Sequence, residues 1–204
     1  MRLPLSTFLN FCTSHGTNRI GEVQEAVSIA TPHVPDMTGT YDFYLQIRQA
    51  IVDMHSKGVS PIVLDFFLHA QTDERRRRIY PGIIEGYRKF LADRGPRVAW
   101  FPPPSVVWPC GELELRVAPE LGLNINGVPH IVALWFGGDR ASATMIKLHL
   151  AVLSFALGSV IPGATMALLD VRLAKLHTLY APTPRVNLLL RAEAAAFATI
   201  WRSL

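Results

Sequence analysis

Cysteine is nearly missing from this chain: Cys12 and Cys110 are the only two among 204 residues. They lie far apart and without CxxC or CxxH spacing, which excludes a disulfide framework and a cysteine-based zinc site and fits a reducing, cytoplasmic setting. Charge is sparse too, at 18% of residues, and only four of the 20 bases are lysine. The seven histidines show no HxH, HExxH or HxxxH pair, so no two imidazoles are placed by spacing on one metal. There is no GxSxG elbow to raise a nucleophile. No GxGxxG or GxxxxGK loop cradles a phosphate, Gly137-Gly138 being a two-glycine turn only. Met1-Arg2-Leu3-Pro4 runs into a polar segment rather than a long apolar one, so no secretory leader is expected. Repeats and low-complexity tracts are lacking as well.

Apolar residues, by contrast, make up half the chain, enough to bury a core in one compact domain or two small ones. One uncharged run, Leu148 to Leu169, is long enough to cross a bilayer. Gly158, Pro162 and Gly163 interrupt it, so it reads as a buried helix, a turn and a buried strand, with no membrane partner.

Residues 1–95 read as a helical region. Ser6 starts a short helix through Phe8, Phe11 and Cys12, and a second holds Ile20, Val23 and Val27. Thr31 to Thr40 is a loop. Phe43, Ile47, Ala50, Ile51 and Met54 then recur at helical spacing up to Lys57-Gly58. Another helix near Ser60-Pro61 is expected to bury Val63, Phe66 and Phe67. A long one over about Thr72 to Asp93 carries Ile79, Ile83, Tyr87, Phe90 and Leu91 inward and stops at Gly95-Pro96.

From residue 96 the texture changes to short alternating runs between Pro and Gly, the mark of strands. Val98 to Phe101, Ser105 to Trp108, Glu112 to Val117, Leu121 to Ile125 and His130 to Phe136 are predicted strands, with Asn126-Gly127 as a tight hairpin turn. Ser142 or Thr144 opens an apolar helix through Leu157. Met166 to Val171 and Leu173 to Leu179 follow as strands, and Thr183-Pro184 opens a last helix ending at Trp201. The prediction is an α+β fold: an N-terminal helical region (1–95) packed on a C-terminal mixed β-sheet flanked by helices (96–204).

Asp73-Glu74-Arg75-Arg76-Arg77-Arg78 is the loudest local feature. Successive residues on a helix point about 100° apart, so the four arginines make no single flat face. Asp73 with Arg77 and Glu74 with Arg78 have ion-pair spacing on a solvated helix start. The alternative is a contact for nucleic acid or an acidic protein partner, made by Arg75, Arg76, Arg77, Arg78, Arg88 and Lys89 and supported by Arg94 and Arg97. Among the sheet carboxylates, Glu114, Glu120 and Asp170 are candidate ligands for a hard cation; the plainer reading is that acids solvate an open sheet face.

Pro119-Glu120 at a strand start, a hairpin, the strand His130 to Phe136, the apolar helix and then Ala167-Leu168-Leu169-Asp170-Val171-Arg172 form an order that resembles the PD-(D/E)XK nuclease-like superfamily in its RecB-like arrangement. The resemblance covers residues 97–204 and rests on layout. It implies an acid at the first motif, which Glu120 would supply, and an acid-x-Lys on the next strand that holds magnesium and activates water. That place reads Ala133-Leu134-Trp135, and no register within Ile131 to Phe136 supplies either group. Lys147 on the following helix is the candidate for a migrated lysine. Glu120 and Lys147 are therefore the catalytic candidates, and magnesium the cofactor only if the protein is active. The expectation is a diverged, catalytically inactive nuclease-fold protein that binds nucleic acid. The alternative is a protein-interaction or structural subunit using Trp100, Trp108, Trp135 and Trp201 in its core or interface.

Overall fold

The computed structural model describes residues 1–30, 42–95, 98–137, 141–178 and 182–204. The loop read over Thr31 to Thr40 lies outside them, as do Pro96, Arg97, Gly138, Asp139 and Leu179. The chain is an α+β protein in which a mixed sheet is covered by helices on both faces.

Strand β1 (Arg2–Pro4) comes first and leads into α1 (Leu5–Thr13), with Pro4 rather than Ser6 at the helix N-cap. Helix α2 (Asn18–Ala30) follows. Then come α3 (Leu45–Ser56), α4 (Val63–His69) and α5 (Glu74–Arg94). Strands β2 (Val98–Phe101), β3 (Val106–Cys110), β4 (Leu113–Val117), β5 (Leu121–Ile125) and β6 (Val128–Trp135) run in succession. Helix α6 (Ala143–Leu157), strands β7 (Thr165–Asp170) and β8 (Lys175–Thr178), and helix α7 (Pro184–Ser203) complete the chain.

The strands form two sheets rather than one. The larger has the order β2-β5-β6-β7-β8, with β6 and β7 parallel and every other neighbour antiparallel. The smaller, β1-β4-β3, contains a strand from the region read as purely helical. Residues 2–4 show too short a run for alternation to reveal, and β1 exists because β4 offers it a parallel edge, Leu3 opposite Leu115. Asn126 and Gly127 both have positive φ, as the two-residue turn between β5 and β6 requires.

Alternation along β6 and β7 divides the interior in two. Ile131, Ala133, Met166 and Leu168 face one way and join α1, α2, α6, α7 and the small sheet in one core. Val132, Leu134, Phe136, Ala167, Leu169 and Val171 face the other and meet α3, α4 and α5. Tyr80, Tyr87, Phe8, Phe11, Phe90 and Phe197 are fully buried. At about 1.5–3 kcal/mol for each large side chain removed from water, they anchor the helices to both faces. Both α6 and the turn after it form as read, and no helix among the described residues is long and apolar enough to cross a membrane.

Helix α4 departs from its expected face. Phe66, predicted inside, is 69% exposed, while Leu64 is fully buried. A helix of seven residues has room for one inward stripe, and its contacts with α3 and α5 are met by Leu64 with Val63 and Phe67 beside it.

Candidate functional site

Glu120 stands where the larger sheet ends. Strand β5 begins at Leu121 opposite Val132, and continuing that register would set Pro119 against Leu134. The Glu120 side chain takes over there, its Oε2 accepting from the Leu134 N–H at 2.9 Å. Its other oxygen, Oε1, lies 3.1 Å from Arg48 Nε on α3. Arg48 also pairs with Asp42, and its guanidinium sits 5.3 Å from the Phe136 ring centre. Tyr44 stacks on Phe136 at 5.5 Å, and its backbone N–H donates to Asp42 Oδ1 at 2.9 Å. Burial pushes the Glu120 carboxyl above the ordinary carboxylate range, against the pull of the Leu134 N–H and Arg48.

On the α6 side Glu120 opens into a cavity of about 200 Å³ whose wall includes Ser6, Arg116, Ala133 and His149. Ala133 occupies the place where the resemblance implies a metal-binding acid. Trp135, at the implied lysine position, packs half-buried against the first core. Lys147 is exposed and lies outside the cavity wall, whereas His149, two residues on and about 200° round the helix, is in it. Desolvation holds His149 down to about 4, so it is a neutral imidazole at pH 7.

The three acids read as a cation set do not converge. Glu114 belongs to β4 in the smaller sheet, where it pairs with Arg2 at 3.0 Å on the open surface. Asp170 ends β7 opposite Trp135 and Lys175, only 2% exposed. Its Oδ1 accepts from Leu173 N at 3.3 Å and its Oδ2 has no hydrogen-bond partner among the described residues. The division into two sheets separates Glu114 from the others, and no group of three His, Cys, Asp or Glu among the described residues is arranged to hold a metal ion.

The arginine run also divides. Asp73 caps α5 by accepting from Arg76 N at 2.8 Å. Neither Asp73–Arg77 nor Glu74–Arg78 is among the ion pairs formed within the described residues. The Arg76 side chain turns inward, 8% exposed, and donates to Gln46 Oε1 at 2.9 Å. Arg75 lies 4.7 Å over Phe43, while Arg77, Arg78 and Lys89 are exposed. Arg88 ties α5 to α4 through Asp65 at 2.6 Å and the Pro61 carbonyl at 3.0 Å. Arg94 covers Phe90. Arg76 and Arg88 thus serve the fold, which leaves Arg75, Arg77, Arg78 and Lys89 as the outward cations of that set.

Cys110 is an inert thiol: burial raises it to about 11, and Sγ donates to the Leu190 carbonyl. His55 hydrogen-bonds Tyr87 Oη and is held down to about 4 by desolvation. Between α3 and α4 runs an apolar groove of about 400 Å³ lined by Met54, Val59, Val63, Leu64 and Phe67. Exposed Ile62 and Phe66 belong to the same α4 segment.

Arg48 and His149 carried no sequence motif. Arg48 occupies the polar side of an ordinary amphipathic helix, and only His149, a polar group inside an uncharged run, left a trace. No protein-family model, curated protein or solved structure matches the chain.

Proposed function

We propose that this protein is a diverged nuclease-fold protein that has given up metal-dependent cleavage and acts by binding nucleic acid. One observation carries the loss of cleavage: the cavity beside Glu120 is walled by Ala133, where an acid would be needed, and no lysine stands among the described residues that line it. A water molecule there lacks a complete cation shell and a lysine, and His149 in the wall, held down to about 4, is too weak a base to replace it. The reading is supported by the layout, since β5, β6 and β7 with α6 between the parallel pair lie together in one sheet. Binding rests on Arg75, Arg77, Arg78 and Lys89, which turn outward along α5. Two buried or half-buried free thiols suit a reducing compartment, and we assign the protein to the cytoplasm on that ground.

The test is incubation of the purified protein with single- and double-stranded DNA and RNA in magnesium or manganese, alongside a binding titration at several salt concentrations. No cleavage is expected. Binding should weaken steeply with salt, with a shallower slope when Arg75, Arg77 and Arg78 become alanine. Robust cleavage abolished by Glu120→Ala or Lys147→Ala overturns the reading.

A second reading, a protein-interaction subunit without a nucleic-acid role, is favoured by Val59, Ile62 and Phe66, which stand 44%, 57% and 69% exposed beside the α3–α4 groove. Salt-indifferent association with a protein, lost on Phe66→Ser, is its signature.

A further inference from the structure

Two carboxylates at the sheet end are set by the same device. In Asp42, Oδ1 accepts from a backbone N–H, that of Tyr44, and the second oxygen, Oδ2, meets Arg48 Nη1. In Glu120, Oε2 accepts from the Leu134 N–H, and the second oxygen, Oε1, meets Arg48 Nε. The backbone fixes one oxygen of each acid and thereby aims the other at a common point. The guanidinium occupies that point, held against Phe136, which Tyr44 backs.

We propose that the Arg48 guanidinium is the resident cation of this site, spanning the gap that a hydrated divalent ion would fill between Asp42 and Glu120, and that removing its charge opens a divalent-cation site on those two carboxylates. A hard cation such as magnesium or manganese needs only one or two carboxylates when water completes its shell. Water has access, since the side chains of Asp42 and Glu120 are 40% and 20% exposed. With Arg48 in place, an incoming ion meets a positive charge at the point where its two ligands converge. The inference rests on the proposed loss of metal chemistry and adds a second reason for it: besides the missing acid and lysine, the remaining acid is already neutralised from within the chain.

Manganese binding to the full chain, followed by loss of the free-ion electron paramagnetic resonance signal, tests this without nucleic acid. Wild type and Arg48→Lys should bind no ion at this site. Arg48→Met keeps the apolar stem over Phe136 and should bind one equivalent at millimolar manganese, with a manganese-dependent rise in Tm. Adding Glu120→Gln to Arg48→Met should abolish both. If Arg48→Met shows no cooperative melt, Arg48→Gln is read in the same way. The proposal is overturned if the folded Arg48 variant binds no manganese. It is equally overturned if wild type binds an equivalent that Glu120→Gln removes, because arginine and metal would then coexist. Cleavage by wild type would instead sink the functional reading, so the two failures are separable.

Discussion

Glu120 closes the β5–β6 ladder, steadies Arg48 and borders the cavity. Glu120→Ala leaves the Leu134 N–H without its acceptor and Arg48 with one acid instead of two. A hydrogen bond to a charged group contributes about 1.5–3 kcal/mol, so urea melts should show a loss toward the lower end of that range, given partial exposure, while nuclease assays stay flat. His55 and His149 govern acid stability. Both have pKa values of about 4 in the folded chain against 6.5 for a free imidazole, so the unfolded chain takes up protons first as pH falls. From these two histidines stability should be level between about pH 7 and 8 and decline from about 6.5 down to 4, while above about pH 8 the raised Cys110 thiol adds a loss of its own, because the unfolded chain ionises first. Melts across that window check this, and His55→Phe with His149→Leu should flatten the decline. Glu120 was legible because a proline before an acid at a strand start is distinctive, and Asp170 because an acid ends an apolar strand. Their partners were not legible: whether an acid meets an arginine or an empty oxygen depends on which sheet its strand joins.

Helix α5 shows how closely elements approach. A Cβ on Gly86 would stand 2.1 Å from the Val171 carbonyl oxygen and 2.9 Å from that of Arg172, so the glycine lets α5 lie directly on the end of β7. Gly86→Ala must push backbone away from backbone, and a destabilisation of about 1–3 kcal/mol is expected, read as a lower urea midpoint. Gly82→Ala, with open space around a position in the same helix, should raise stability by up to about 1 kcal/mol, because alanine is the better helix former, and serves as the control. Periodicity found the long elements well: α3, α5 and α6, and the strands on either side of Asn126-Gly127, are where spacing and turn residues put them. It failed where an element is short. Residues 2–4 become a strand through a distant partner, and the seven residues of α4 turn Phe66 outward because neighbouring helices choose the face.

The two stretches that differ in sequence texture do not keep separate interiors. Helices α1 and α2 share a core with α6, α7 and the smaller sheet, while α3, α4 and α5 cover the opposite face of the larger one. Residues 98–204 alone would expose the row of Leu121, Leu123, Val132, Leu134, Ala167 and Leu169 to water. That fragment should show no cooperative melt, and co-expression with residues 1–95 should restore one. Independent two-state unfolding of 98–204 would mean the N-terminal helices are an accessory to a self-sufficient sheet. The β1–β4 pairing carries a consequence for biosynthesis. Arg2 and its partner Glu114 are 112 residues apart, so at about 5–20 residues per second β1 emerges from the ribosome many seconds before the strand it must join. During that interval Leu3, Phe8, Leu9 and Phe11 have no sheet to cover them. The nascent chain therefore offers an apolar segment to whatever chaperone waits at the exit tunnel, and faster translation would shorten that exposure.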